Sequence, residues 1–143
     1  MLTPPLRVLV VDDDLAVLTM LGTALQRAGY QPTLVGTVPA ALLALATADY
    51  VAVLTDYAVT SQTGRLVIEQ AQQLVPTPVI LLMSGHSREI LADRLVGLPI
   101  TAFLPKPFDI TTLYTMLDQY RSAIAARHTA QATVADHARI QRP

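Results

Sequence analysis

Three short runs, LRVLVV at residues 6–11, YVAVLT at 50–55 and PVILLM at 78–83, are apolar at nearly every consecutive position. A strand with one wet face alternates apolar and polar residues, so uninterrupted runs of this kind describe strands buried on both faces of a sheet. Between them apolar residues recur at helical spacing, first as Leu18, Leu21, Leu25 and Ala28, later as Leu66, Val67, Ile68 and Leu74. Gly29 is placed to end the first of these helices in a left-handed cap. PTLVGT, residues 32–37, reads as a weaker second strand, and Pro39 suits the first turn of a helix running to about Ala48. A short helix from about Arg88 to Val96 follows the breaker SGHS. ITAFL then forms a fifth strand ending at Pro105, and a last helix starts near Asp109. The alternation predicts five β/α units: an α/β fold with a parallel sheet and helical crossovers.

At 143 residues the chain is one ordinary domain, and its 52% apolar content and mean hydropathy of +0.42 need an explanation. Doubly buried strands supply it, because no apolar run approaches the roughly 20 residues of a membrane span. A net charge of -1 without any Lys/Arg cluster leaves no electrostatic footprint for nucleic acid or an anionic membrane surface. The absence of cysteine excludes disulfides and thiolate metal sites. MLTPPLRVLVV lacks the parts of a signal peptide, so a cytoplasmic location is the expectation. Beyond Tyr120 the composition turns to Ala, Arg, Thr, His and Gln. Residues 1–122 are expected to form the domain, and 123–143 an extension of the last helix grading into a tail or linker.

In an open parallel sheet, ligands bind outside the carboxyl ends of the strands. The residues that follow each apolar run are therefore the informative ones. They are Asp12, Asp13 and Asp14 after the first run, Asp56 after the third, Ser84 and Gly85 after the fourth, and Lys106 after the fifth. Two carboxylates about 4 Å apart repel by roughly 4 kcal/mol at an effective dielectric near 20. Several at one rim call for a cation, and a hard divalent ion with oxygen ligands, Mg²⁺, is the economical one. Taken singly, each residue has an ordinary role. An acidic pair caps a helix, Asp56 starts a turn, Ser84-Gly85 is a turn, and His86 has no partner histidine at ligand spacing. Lys106 stands apart, because the chain has nine arginines and this one lysine, set between two prolines. A compact point charge at that place suggests a site that a planar guanidinium fits badly. Asp14 suits the cap of the first helix.

In this order and spacing, VVDDD, YVAVLT followed by Asp56, Gly64 eight residues on, Ser84-Gly85 and FLPKPF resemble the receiver domain of two-component response regulators. The likeness covers residues 6 to about 120. It implies a five-stranded, doubly wound, flavodoxin-like sheet of order 2-1-3-4-5 in a three-layer α/β/α sandwich. It also implies phosphorylation of Asp56 by a histidine kinase or histidine phosphotransfer domain. Asp12 and Asp13 match the acidic pair, Asp13 binding Mg²⁺ directly and Asp12 more often through water. Ala58 matches the position that lends the metal a main-chain carbonyl. Ser84 corresponds to the switch hydroxyl, Lys106 to the family lysine, and Phe103 to the aromatic switch position. The Lys106–Pro107 bond is usually cis in the family. The chain departs from the pattern at Thr60, where proline is common, and in VGLPI, residues 96–100, which bears on the fourth helix and the usual output face. The partners implied are the phosphodonor and an output protein or domain of unknown kind, without nucleic acid or membrane contact, and with a homodimer left open.

Three rival readings use the same residues. A haloacid-dehalogenase-like phosphohydrolase would take Asp12 as nucleophile and Asp14 as acid/base, but Ala16 stands where that family has Thr or Val, and no acidic pair follows the lysine. A flavodoxin-like module for FMN needs a neutral, hydroxyl-rich first loop, which three aspartates are not. A degenerate receiver acting only as a binding module is opposed by the intact acceptor, acids and lysine.

Overall fold

The computed structural model describes residues 5–59 and 62–140. In chain order the elements are β1 (Arg7–Val11), α1 (Leu15–Arg27), β2 (Gln31–Val35), α2 (Val38–Thr47), β3 (Ala52–Asp56), β4 (Ala58–Val59), β5 (Gln62–Thr63), α3 (Arg65–Gln72), β6 (Val79–Ser84), α4 (Arg88–Leu95), β7 (Ala102–Pro105), α5 (Ile110–Gln119) and α6 (Arg121–Ile140). The main sheet has the order β2-β1-β3-β6-β7, and every pairing in it is parallel. The two-residue strands β4 and β5 pair only with each other, antiparallel. Counted on its own five strands, the sheet therefore has the expected order 2-1-3-4-5.

The apolar runs become the three central strands, and their alternate residues feed two cores. Val8, Val10, Leu54, Leu81 and Met83 point to one face, where Leu18, Leu21 and Leu25 of α1 and Leu113 and Leu117 of α5 cover them. Leu9, Val11, Val53, Ile80 and Leu82 point to the other, under Val38 and Leu45 of α2, Val67 and Ile68 of α3, and Leu91 of α4. Hence β3 and β6 show no wet face at all.

Local chemistry sets the helix ends. The Asp14 side chain accepts from Ala16 N at 2.9 Å and Val17 N at 3.4 Å, which makes it the cap of α1 as expected. Thr37 and Ser87 do the same for α2 and α4. Gly29 has φ +94°, the left-handed conformation anticipated after α1. β2 ends at Val35, short of Thr37, because the Thr37 side chain is committed to the α2 cap. α4 has eight residues and stops at Val96, before Gly97 with φ +79°, within the VGLPI stretch.

The expected division at residue 122 is not a division in packing. The chain breaks helix at Tyr120 and starts α6 at Arg121. Ile124 then belongs to the α1/α5 core, Arg127 Nε donates to Thr77 O at 3.2 Å, and the buried Gln131 donates from Nε2 to Tyr50 O at 2.9 Å. Tyr50 and Thr77 precede β3 and β6, so α6 lies against the amino end of the sheet. No helix among the described residues is long and apolar enough to cross a membrane.

Candidate functional site

β1, β3, β6 and β7 run parallel, so their carboxyl ends deliver Asp12, Asp56, Ser84 and Lys106 to one rim. Lys106 Nζ donates to Asp12 Oδ2 at 2.5 Å and to Asp56 Oδ2 at 2.9 Å, joining residues from opposite ends of the sequence. Asp12 is fully buried, and its Oδ1 accepts from Asp14 N at 2.9 Å. Asp56 is 8% exposed and its Oδ1 accepts from Ala58 N at 3.4 Å. Asp13 is exposed, yet one carboxylate oxygen from each of Asp12, Asp13 and Asp56 lies within 4.8 Å of the others.

Burial pushes the Asp56 carboxyl above its usual range, against the hydrogen bond and charge of Lys106, which pull it down; the nearby Asp12 adds to the rise. Burial would lower the Lys106 ammonium, but its hydrogen bonds to Asp12 and Asp56 outweigh that, and the balance is upward. Lys106 therefore stays charged at neutral pH. It is one cation among three carboxylates, and all the acidic donors are oxygens. That donor set fits a hard divalent ion such as Mg²⁺ and is unsuited to soft metals.

Ser84 is buried at the end of β6, where its Oγ accepts from His86 N at 3.0 Å. Its carbonyl accepts from Lys106 N at 2.8 Å, which ties the hydroxyl strand to the lysine loop. The Lys106–Pro107 peptide bond is cis. The sheet register sets Phe103 beside Leu82, two residues before Ser84 on the same face. Phe103 is half-buried and lines a 250 Å³ pocket with Ala92, Leu95, Leu98 and Ile100 under α4. Ala58 is exposed next to Asp56, and His86 lies exposed beyond Ser84. Thr60 lies outside the described residues. Asp12 is a poor nucleophile here, being fully buried with both oxygens engaged.

Three features of the site go beyond what the sequence showed. The stretch after Asp56, read as plain loop, folds into the β4–β5 hairpin. Gly64 donates from N to Tyr57 O at 2.5 Å and lies against the Asp56 carbonyl. Thr55, read only as part of an apolar strand, is a buried hydroxyl donor to Asp56 O. Their places in the chain were visible, but not the contacts that give them work.

The model of the response regulator receiver domain family matches residues 8–118. Among curated proteins, the DNA-binding transcriptional regulator NtrC of a Bradyrhizobium strain is 29% identical over 110 residues, 77% of this chain and 23% of that protein. The chain thus spans about a quarter of the length of the curated relatives it matches. A response regulator receiver protein from Sinorhizobium medicae superposes with a TM-score of 0.74 at 28% identity, over 86% of this chain and 97% of that one. The receiver domain of a sensor histidine kinase from Pseudomonas aeruginosa, a structure with magnesium in its active site cleft, superposes with a TM-score of 0.71. At 19% identity, over 82% of this chain and 98% of that one, it shares the fold.

Proposed function

The chain belongs to the response regulator receiver domain family, and on that premise we propose that it accepts a phosphoryl group on Asp56 from a histidine kinase or histidine phosphotransfer domain. The observation that carries this reading is the placement of Asp56. It is the rim carboxylate that combines slight exposure with a direct hydrogen bond to Lys106 and a main-chain donor on Ala58.

An Asp56 oxygen forms the new P–O bond while the P–N bond to the donor imidazole breaks, and that imidazole leaves with a proton. Lys106 already touches the acceptor oxygen, so its ammonium meets the charge of the arriving phosphoryl oxygens without moving far. Asp12, Asp13, Asp56 and the Ala58 carbonyl would hold Mg²⁺, which when bound neutralises phosphoryl oxygens. Ser84 offers its hydroxyl to one of those oxygens, giving up the bond from His86 N. The movement of Ser84 frees space along the face it shares with Phe103, and the ring turns inward from the α4 pocket. The surface of α4, β7 and α5 then differs between the two states, and an output protein or domain reads that difference. A receiver of this kind is a signalling module, and its chemistry is confined to its own acyl phosphate.

Incubation with Mg²⁺ and acetyl phosphate followed by intact mass measurement tests the reading on wild type and Asp56→Asn. A phosphoryl adduct on wild type that is missing from Asp56→Asn supports it. An adduct that persists in Asp56→Asn, or none on wild type even with a competent donor kinase, defeats it. Steady turnover of phosphate esters dependent on Asp12 would restore the hydrolase reading.

A further inference from the structure

The peptide unit that follows the acceptor is held at both ends. Its N–H, on Tyr57, donates to Met83 O of β6 at 2.9 Å. Its C=O, on Asp56, accepts from Thr55 Oγ1 at 3.0 Å. Thr55 is completely buried, with Val11 of β1 and Leu82 of β6 as its neighbours in register. Valine would fill the same space in a central strand with the same β-branch and no polar atom to bury. A hydroxyl at this place is costly unless it is bonded, and its partner is the backbone of the acceptor itself.

Alternation along β3 sends Thr55 toward the α2/α3 side and the Asp56 carboxylate to the other. The Thr55 hydroxyl therefore does not touch a phosphoryl group, and any influence on transfer runs through the main chain. That main chain is short. The peptide pinned by Thr55 leads directly to Ala58, whose N–H donates to Asp56 Oδ1 at 3.4 Å. The next carbonyl, Tyr57 O, is fixed by Gly64 N at 2.5 Å. Rocking the Asp56–Tyr57 plane would turn the carboxylate and the Ala58 main chain together.

Resting on the receiver reading above, we infer that Thr55 is a positioning residue for the acceptor, its hydroxyl setting the plane of the Asp56–Tyr57 peptide and so the aim of the Asp56 carboxylate. Thr55→Val removes only the hydroxyl at nearly constant volume, and Thr55→Ser keeps it. Two readouts are compared at a temperature where circular dichroism shows every variant folded. One is the initial rate of adduct formation with saturating acetyl phosphate and Mg²⁺; the other is hydrogen exchange of the Tyr57 amide in the metal-free protein. Thr55→Val lowers the rate about tenfold and speeds exchange at Tyr57 more than at Leu54. Thr55→Ser stays within about twofold of wild type in both. Should Thr55→Val not fold, the pair Thr55→Ser and Thr55→Ala makes the same comparison of hydroxyl against none. Equal rates with and without the hydroxyl, even with a lowered melting temperature, overturn the inference while leaving the receiver reading intact. Absence of any adduct on wild type overturns both.

Discussion

Gly64→Ala separates what a glycine does for its own backbone from what it does for its neighbour. Gly64 caps α3 with φ -63° and ψ -9°, ordinary right-handed values that alanine adopts without strain. On local grounds the substitution costs well under about 1 kcal/mol, the modest preference for Gly over Ala at a cap. The contacts say otherwise. A Cβ there would lie 3.1 Å from the Asp56 carbonyl carbon and 3.1 Å from Thr55 Oγ1, and closer still to the Asp56 carbonyl oxygen. A carbon normally stands about 3.3 Å or more from a carbonyl oxygen, so the two backbones must part by something on the order of 1 Å. Neither can rotate away as a side chain would. Overpacking of this kind costs about 3 kcal/mol, near the upper end of its usual range. In a chain of this size that lowers the melting temperature by roughly 6–12 °C. The displaced atom belongs to Asp56, the proposed acceptor, so the adduct-forming rate is expected to fall as well, by about a hundredfold for a shift near 1 Å. Thermal melting by far-UV circular dichroism and intact mass kinetics read the two effects. Gly29→Ala is the control: its φ of +94° imposes strain, but nothing lies within 4 Å of its Cβ, so it lowers stability and leaves the rate unchanged. A Gly64→Ala protein that melts within 2 °C of wild type and is phosphorylated normally would refute the steric reasoning.

Lys106→Met leaves the buried Asp12 without its cation, which costs at most about 3 kcal/mol, and Mg²⁺ should recover part of it in paired melts. The two halves of the pH response have opposite signs. The Asp56 carboxyl is raised mainly by burial, so its share of stability is fully present below the unfolded carboxyl range and is lost as pH rises through the folded value. Asp56→Asn should therefore melt higher than metal-free wild type at pH 7, with the gap closing as the solution is acidified. The Asp109 carboxyl is lowered by hydrogen bonds from Thr112, so its contribution is present above the usual carboxyl range and fades as pH falls through the lowered value. A wild-type advantage over Asp109→Ala that grows with acid would contradict this. Gln131→Leu leaves Tyr50 O unpaired under α6, for a loss of about 1–2 kcal/mol in urea unfolding that leaves adduct formation at its wild-type rate.

The sheet and its rim were legible in the chain because both follow from short-range rules. Continuous apolar runs specify strands covered on both faces, and the residue after each run must stand at the carboxyl edge. Asp12, Asp56, Ser84 and Lys106 were found that way, and the lone lysine among nine arginines marked its own position. Asp14 as a cap and Gly29 as a left-handed stop needed only their neighbours. The hairpin β4–β5 was missed because two-residue strands carry no periodicity. The packing of α6 was not legible because Ile124, Arg127 and Gln131 are too sparse to register as a packed face.

By itself, then, the sequence determined the kinds of element, their order and the chemistry gathered at one edge, since each depends on residues a few positions apart. Only the tertiary structure decided that Lys106 reaches both Asp12 and Asp56, that Gly64 is required by the Asp56 carbonyl and not by its own φ, that Thr55 spends its hydroxyl on the Asp56 backbone, and that α6 turns under the sheet. Those are contacts between surfaces brought together by folding. Their distances are set by the close packing of the whole interior, and no local pattern along the chain encodes them.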